Sequence, residues 1–224
     1  MQNRGQLYVV ATPIGNPGDI TLRALDVLRQ CNAVICEEQR EGEALLKKYE
    51  IPAHEIITLN EHNEAERVPD IVRRILLTGD SLALISDCGT PVFSDPGAAL
   101  IQHASEMSVP VIPVPGASSL MAALSILSFK PERFVFAGFL PRVPEERKRE
   151  LLRLRALRMP VILMDTPYRL VAVLKDVANA FGKGHQVTLA ADLTLPREKI
   201  YRGPVGEVLQ QVGERKAEFI LIVH

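Results

Sequence analysis

Three loops rich in proline and glycine each follow a short apolar run, and they constrain the fold more than any other feature of the chain. The loops span residues 11–19, 86–97 and 114–119, and each stands before a stretch with helical periodicity. Loops at the carboxyl ends of strands are where open α/β sheets bind ligands. Glycine lets the backbone approach a ligand closely, and proline makes the turn rigid. The pattern therefore predicts a small-molecule site in the first half of the chain.

Apolar runs and amphipathic stretches alternate along the chain, which predicts the α/β fold class with a mostly parallel sheet wrapped by helices. The last apolar runs, at 198–202 and 218–223, suggest strands that partly run antiparallel. The segment 127–133 contains Lys130-Pro131 and is the best candidate for a hinge. We therefore expect two α/β domains, residues 1–127 and residues 128–224, of which the second has a mixed sheet.

The composition excludes several classes of protein. Hydrophobic residues make up 47% of the 224 residues, which is enough for a core and argues against disorder. The formal net charge of −1 gives no overall attraction for nucleic acid, so any binding must come from a local basic face. Cys31, Cys36 and Cys88 have no CxxC spacing, which is typical of reduced thiols. No apolar run approaches the roughly 18 residues of a membrane span and no signal peptide is evident, so we expect a cytoplasmic protein without a membrane partner.

The order of the motifs resembles the tetrapyrrole (corrin and porphyrin) methylase superfamily. In particular, it resembles the bacterial methyltransferases that modify a ribose 2′-hydroxyl of a cytidine in 16S ribosomal RNA. The likeness extends over nearly the whole chain, and its blocks follow one another in the right order. The matching blocks are Tyr8–Asn16, Gly18–Leu25, Glu61–Glu64, Ser86–Pro91, Ser94–Gly97, Pro115–Ser118, Arg133–Phe134, Gly138–Pro141 and Thr166–Leu170.

The resemblance implies that S-adenosylmethionine binds in the cleft between two α/β domains, usually in a homodimer, and that ribosomal RNA is the substrate. It implies no metal. The chain lacks a GxGxG motif after the first strand, in agreement with a fold different from that of most methyltransferases. The cofactor contacts that the resemblance implies are Pro13, Gly15, Gly89, Thr90, Phe93, Ser118, Ser119, Asp165 and Leu193.

Methyl transfer to a sugar hydroxyl requires a base that takes the hydroxyl proton. Glu38 and Asp87 are candidates, together with Glu37, because these carboxylates fall at or just past the ends of predicted strands. Arg40 can hold a phosphate or carboxylate of the substrate. The alternative, that these charges cap helices and pair with one another, stays open. Asp19 is expected to be the N-cap of the helix at 20–30.

The chain also departs from the pattern of the ribosomal enzymes. Their second strand usually ends in Glu-Asp-Thr-Arg, whereas this chain reads Glu37-Glu38-Gln39-Arg40. Two alternatives therefore stay open: a methylase that acts on a small corrin or porphyrin precursor, and a relative that binds S-adenosylmethionine without catalysis.

The basic stretch 147–158 is likewise open to two interpretations, a surface that follows an RNA backbone or a solvated face with internal salt bridges.

Overall fold

The computed structural model describes residues 5–52, 55–92 and 96–224. The chain divides into two compact units, of which the first ends at Ser118 and the second begins at Ser119. The predicted domain boundary after residue 127 stays a prediction. Among the described residues, no helix is both long enough and apolar enough to cross a membrane.

The first unit is a five-stranded parallel sheet with the strand order β3-β2-β4-β1-β5. Its strands are β1 (Leu7–Val10), β2 (Ala33–Cys36), β3 (Glu55–Thr58), β4 (Leu82–Ile85) and β5 (Val111–Val114). Its helices are α1 (Leu22–Gln30), α2 (Gln39–Lys48), α3 (Glu64–Thr78) and α4 (Ala98–Glu106).

Helices cover both faces of this sheet. The side chains of Leu82 and Leu84 pack with α3 and α4, whereas Ala83 and Ile85 point to the other face and pack with α1 and α2. Because successive side chains of a strand alternate between the two faces, a strand buried on both is apolar at every position. This explains why β2 and β4 read as continuous apolar runs.

The start of α1 differs from the sequence prediction. Thr21 is the N-cap, and its side chain accepts a hydrogen bond from the Ala24 amide at 3.1 Å. Asp19 lies in the 3₁₀ turn Pro17–Asp19 before the helix, so the prediction that Asp19 caps α1 was wrong. That turn has its own cap, because the Asn16 side chain accepts from the Gly18 amide. Because this turn contains Asp19, α1 begins only after it, at Leu22.

The second unit has a mixed five-stranded sheet with the order β6-β7-β10-β8-β9. Strands β6 and β7 are parallel, and the other neighbours are antiparallel. The strands are β6 (Val135–Gly138), β7 (Val161–Asp165), β8 (Gln186–Ala191), β9 (Lys199–Pro204) and β10 (Phe219–Val223). The helices are α5 (Ser119–Ser125), α6 (Pro144–Ala156), α7 (Leu170–Phe181) and α8 (Val205–Val212).

The two faces of the second sheet are covered by different helices. The large core contains buried leucines and valines of α6, α7 and α8, and the smaller cluster on the other face lies under α5. In α5, Ala123 is fully buried and Leu120 and Leu124 pack against the same cluster, while Met121 remains exposed. Much of the apolar stretch 120–129 therefore packs within its own unit.

Candidate active site

The loops that follow β1, β4 and β5 lie side by side at one edge of the first sheet. Val10, the last residue of β1, pairs with Ile85 of β4 and with Val114 of β5. The loop after β1 leads to α1 on one face of the sheet, whereas the loop after β4 leads to α4 on the other. Neighbouring loops that diverge in this way leave a crevice at the carboxyl ends of the strands, which is where open α/β sheets take ligands.

Thr12 joins the first two of these loops. Its side chain is fully buried, and its hydroxyl donates to the Ser86 carbonyl at 2.9 Å and accepts from the Gly89 amide at 3.2 Å. The Thr12 amide also donates to the Gly89 carbonyl at 2.8 Å. A buried hydroxyl whose bonds are all made fixes the geometry of the groups around it. The conformation of the loop after β4 is therefore set by a residue of the loop after β1.

Gly89 has a backbone conformation that favours glycine. Its φ is +87°, and a β-carbon built there lies 3.0 Å from Cγ2 of Ile14 and 3.6 Å from the Ala117 carbonyl oxygen. The next residue, Thr90, donates its hydroxyl to the same carbonyl at 3.1 Å. Gly116 is also confined, since its β-carbon would lie 3.0 Å from that of Ala11. All three loops thus approach one another at positions without a side chain.

A cavity of about 280 Å³ opens beside these loops, within the first unit. It is bounded by the loop after β1, by one face of α2 and by the loop after β4, and it carries the charged side chains of Glu41, Lys48 and Asp87. Tyr49 closes one side, where its hydroxyl donates to the Pro17 carbonyl at 2.7 Å. Burial, together with the Asp19 carboxylate, raises the pKa of Tyr49, so this hydroxyl stays a donor near neutral pH.

The carboxylates predicted to be catalytic follow adjacent strands. Glu38 comes two residues after β2 and Asp87 two residues after β4, and these strands are parallel neighbours. Both carboxylates act on the buried Cys36 thiol. Burial raises the pKa of this thiol to about 11, and the negative charges of Asp87 and Glu38 contribute in the same direction. Asp87 lines the cavity, whereas Glu38 and Arg40 are exposed at the start of α2 and are absent from the described lining.

The cofactor contacts predicted in the first unit are distributed over these loops. Pro13 and Gly15 line the cavity, and Gly89 and Thr90 form the turn after β4. Ser118 is the last residue of the first unit, and Ser119 begins α5 as the first residue of the second. Phe93 lies outside the described residues.

In the second unit, two buried aspartates stand at one edge of the sheet. Asp165 ends β7 and Asp192 follows β8, and Phe219 of β10 pairs with both Asp165 and Ala191. One oxygen of Asp165 accepts from the Thr166 amide, and the other lies 3.1 Å from Nη1 of Arg169. Leu193 packs beside this edge, in the cluster under α5.

The arginine partners of Asp192 were not predicted from the sequence. Arg215 donates to its Oδ2 at 2.7 Å, and Arg197 lies 3.2 Å from the same oxygen. The Asp192 backbone has a φ of +51°, which is unusual for a residue other than glycine. Asp192 itself, an acidic residue directly after a strand that ends in apolar residues, was the signal for this site in the sequence. Its partners lie on other segments, so their identity required the structure.

No group of three or more histidine, cysteine, aspartate or glutamate side chains with the geometry of a metal site occurs within residues 5–52, 55–92 and 96–224. The two buried cysteines, Cys31 and Cys36, have thiol pKa values raised by burial to about 11, and Cys88 is exposed.

Comparison with known proteins gives a consistent picture over the whole chain. The sequence profile of the tetrapyrrole (corrin/porphyrin) methylases matches residues 6–209. A ribosomal RNA small subunit methyltransferase I from Escherichia coli O157:H7 is 37% identical over 225 residues, covering 99% of this chain and 78% of that protein. The protein of the same name from Xylella fastidiosa is 38% identical, covering 100% of this chain and 82% of its own length.

Solved structures with the same fold are more distant in sequence. A cobalamin biosynthetic enzyme, cobalt precorrin-4 methyltransferase, is 22% identical with a TM-score of 0.68, covering 97% of this chain and 94% of its own. A diphthine synthase is 15% identical with a TM-score of 0.71, covering 97% of this chain and 88% of its own. At these identities the similarity shows the fold alone.

Proposed function

The chain belongs to the tetrapyrrole (corrin/porphyrin) methylases and is an S-adenosylmethionine-dependent methyltransferase, and from this premise we propose that its acceptor is a ribose 2′-hydroxyl of small-subunit ribosomal RNA. The observation that carries the proposal is the similarity in sequence, over nearly the full length, to ribosomal RNA methyltransferases. The enzymes of tetrapyrrole chemistry share the fold at much lower identity.

The loops of the first unit have the properties that this cofactor needs. Gly89 and Gly116 lie where an added β-carbon would meet a neighbouring side chain at 3.0 Å, so these glycines let the three loops pack closely at the strand ends where we propose that the cofactor binds. Pro13, Gly15 and Thr90 lie on the same loops, which the Thr12 hydroxyl holds together. We assign cofactor binding to these residues, together with Ser118 and Ser119, and keep Asp165 and Leu193 as predicted contacts on the second unit.

S-adenosylmethionine, when bound, supplies an electrophilic methyl group on a sulfonium. The protein must then hold the acceptor hydroxyl in line with that group, exclude water and remove the hydroxyl proton. Asp87 stands on the wall of the cavity beside the Gly89 loop, and Glu38 follows the adjacent strand. We propose that one of these carboxylates accepts the proton and that Arg40 holds a phosphate of the substrate.

The cavity between the loop after β1 and α2 is the proposed site of the acceptor nucleoside. Its volume of about 280 Å³ is near the lower end of the range of ligand pockets. Methyl transfer from a sulfonium to a hydroxyl needs no metal, so none is part of the proposal. We further propose a cytoplasmic homodimer, since a ribosomal substrate is found in that compartment and the resemblance implies a dimer.

The test uses the purified chain, S-adenosylmethionine with a labelled methyl group, and small ribosomal subunits from cells without this enzyme. We expect label in the RNA, and 2′-O-methylcytidine in a nucleoside digest analysed by mass spectrometry. The Gly89→Val variant serves as the inactive control. Label in a corrin or porphyrin precursor, with none in RNA, would assign the chain to the small-molecule methylases. Stoichiometric cofactor binding without transfer to either substrate would indicate a non-catalytic relative.

A further inference from the structure

A second cavity, of about 630 Å³, lies in the second unit at the end of the sheet opposite Asp165 and Asp192. Three of its lining residues flank strand ends there: Pro160 precedes β7, His185 precedes β8 and His224 follows β10. The remaining walls come from the last turns of α6 and α7 and from the loop after α6. We call this cavity the basic pocket, defined by Arg155, Arg158, His185 and His224 together with Leu152, Ala156, Met159, Pro160 and Phe181.

The ionisable side chains that line the basic pocket in the described structure are two arginines and two histidines, with no acidic residue among them. Arg155 uses one nitrogen, Nη1, to donate to the Ala180 carbonyl at 2.8 Å, which fixes the guanidinium at the rim. Arg158 stands in the loop after α6 with a φ of +50° and makes no ion pair within the described residues. Guanidinium groups attract anions, and their planar donors match phosphate.

This arrangement differs from that of two other arginines in the basic stretch at 147–158. Arg147 donates to Asp176 at 2.5 Å, and Arg153 forms two hydrogen bonds to Glu150. Their charges are thus offset by carboxylates on the protein itself, as expected for a solvated helix face. Arg155 and Arg158, by contrast, form no ion pair with a carboxylate within the described residues.

The two imidazoles are held in place by their neighbours. Nε2 of His185 lies 2.6 Å from the His224 carbonyl oxygen and therefore donates to it, and Nε2 of His224 lies 3.0 Å from the Thr188 hydroxyl. The ring of Phe129 packs against that of His224 at 4.7 Å between centroids. Burial and the neighbouring His185 lower the pKa of His224. A bound anion would favour its protonated form.

Part of the pocket wall is apolar and partly open to solvent, and the ring of Phe181 in this part lies 5.1 Å from that of His185 between centroids. Leu152 is 46% exposed although it faces the cavity, and Met159, Pro160 and Phe181 continue the same surface. An apolar wall beside cationic groups fits a ligand that carries both a flat ring and a negative charge. A nucleotide has both, and the volume of the pocket lies within the range for such ligands.

We propose that the basic pocket binds a nucleotide phosphate, with the base against Leu152 and Phe181, and that this nucleotide belongs to the RNA substrate. The RNA source rests on the proposed function; the pocket for a nucleotide phosphate does not. The pocket holds RNA at a second point, at the end of the second sheet opposite Asp165 and Asp192. Its contribution is expected in RNA affinity and in KM, and not in the chemical step.

The central variant is Arg158→Gln, which removes one charge from the pocket. Its matched control is Arg149→Gln, which removes the same charge from an exposed position of α6 outside the pocket. Binding of a labelled single-stranded RNA is measured by anisotropy over a range of salt. We expect Arg158→Gln to weaken binding about tenfold and to reduce the slope of log K against log salt by about 0.7, the value for one phosphate contact to a single strand. For Arg149→Gln we expect less than a twofold change.

The imidazole signals of His185 and His224 in NMR spectra give a local readout. They are expected to move when RNA is added to the wild-type chain and to need about tenfold more RNA for the same movement in Arg158→Gln, while both variants keep the wild-type melting temperature. Cytidine monophosphate is titrated separately; shifts with the mononucleotide and none with RNA would overturn the RNA source and leave a free nucleotide as the ligand. Absence of shifts with either ligand would overturn the pocket. If ribosomal subunits are still methylated normally in that case, the proposed function stands without it.

Discussion

Substitution of Gly89 tests whether the loop after β4 holds the cofactor, because two separate costs can be calculated for it. With a φ of +87°, any other residue pays about 1–3 kcal/mol for an unfavourable backbone conformation. The new β-carbon would also lie 3.0 Å from Cγ2 of Ile14, so that side chain must shift. For a chain of this size each kcal/mol lowers the melting temperature by about 2–4 °C. Gly89→Ala should therefore melt roughly 2–12 °C below wild type, and Gly89→Val lower still.

The second cost falls on cofactor binding. A side chain at this position would displace Ile14 and distort the turn that follows β4, and we expect Gly89→Ala to weaken binding of S-adenosylhomocysteine at least tenfold, or about 1.4 kcal/mol. Gly89→Val should abolish the binding heat. The assay is isothermal titration calorimetry at a temperature where thermal melts show that every variant is folded.

Gly182→Ala is the matched control. Gly182 has a φ of +99° and belongs to the second unit, and its added β-carbon would meet no atom of the described structure within 4 Å. The Gly182→Ala variant should melt at a lower temperature than the wild type and bind the cofactor with wild-type affinity. Wild-type affinity in Gly89→Val would show that the loop is not the cofactor site. An equal loss of affinity in Gly182→Ala would show that the effect reflects destabilisation alone.

Three further predictions concern catalysis, thiols and assembly. Glu38→Gln should lower methyl transfer about 10²-fold or more with cofactor affinity unchanged if this carboxylate is the base; normal turnover would move that role to Asp87. At pH 8 a thiol reagent should label Cys88 alone, because the buried Cys31 and Cys36 have pKa values near 11. S-adenosylhomocysteine should slow this labelling of Cys88. Rapid reaction of all three thiols in the native protein would contradict the burial of Cys31 and Cys36. Sedimentation at micromolar concentration should give twice the chain mass of 24.8 kDa, and a monomer would refute the predicted homodimer.

The α/β architecture could be predicted because its signals are local. Strand β4, Leu82–Ile85, is apolar throughout because both of its faces are covered. Gly79 is the C-cap of helix α3 and takes the left-handed conformation with a φ of 76°. Both features depend on residues within one or two turns of each other, so the sequence contains them.

The features that fix the site depend on contacts over long separations. Thr12 reads as an ordinary loop residue, and its importance arises from Ser86 and Gly89, which are more than 70 positions away. Asp19 failed as a helix cap for a related reason, since a turn that begins at Pro17 moves the start of α1 to Thr21 and Leu22. Propensity identifies a candidate cap, and the geometry of the preceding turn decides which candidate is used.

Ile14 shows why the substitutions above are chosen at Gly89 and Glu38. Its Cγ2 faces Gly89, its carbonyl accepts from the Cys88 thiol at 3.6 Å, and its side chain lines the cavity that also contains Asp87. A change at Ile14 would alter the cofactor loop and the cavity together, so lost activity could not be divided between binding and turnover. Gly89 has no side chain to remove, and Glu38 lies outside the described cavity lining. A side chain at Gly89 still shifts Ile14, so its effect is measured as cofactor affinity of the folded protein, whereas the effect of Glu38→Gln is measured as a rate at saturating cofactor.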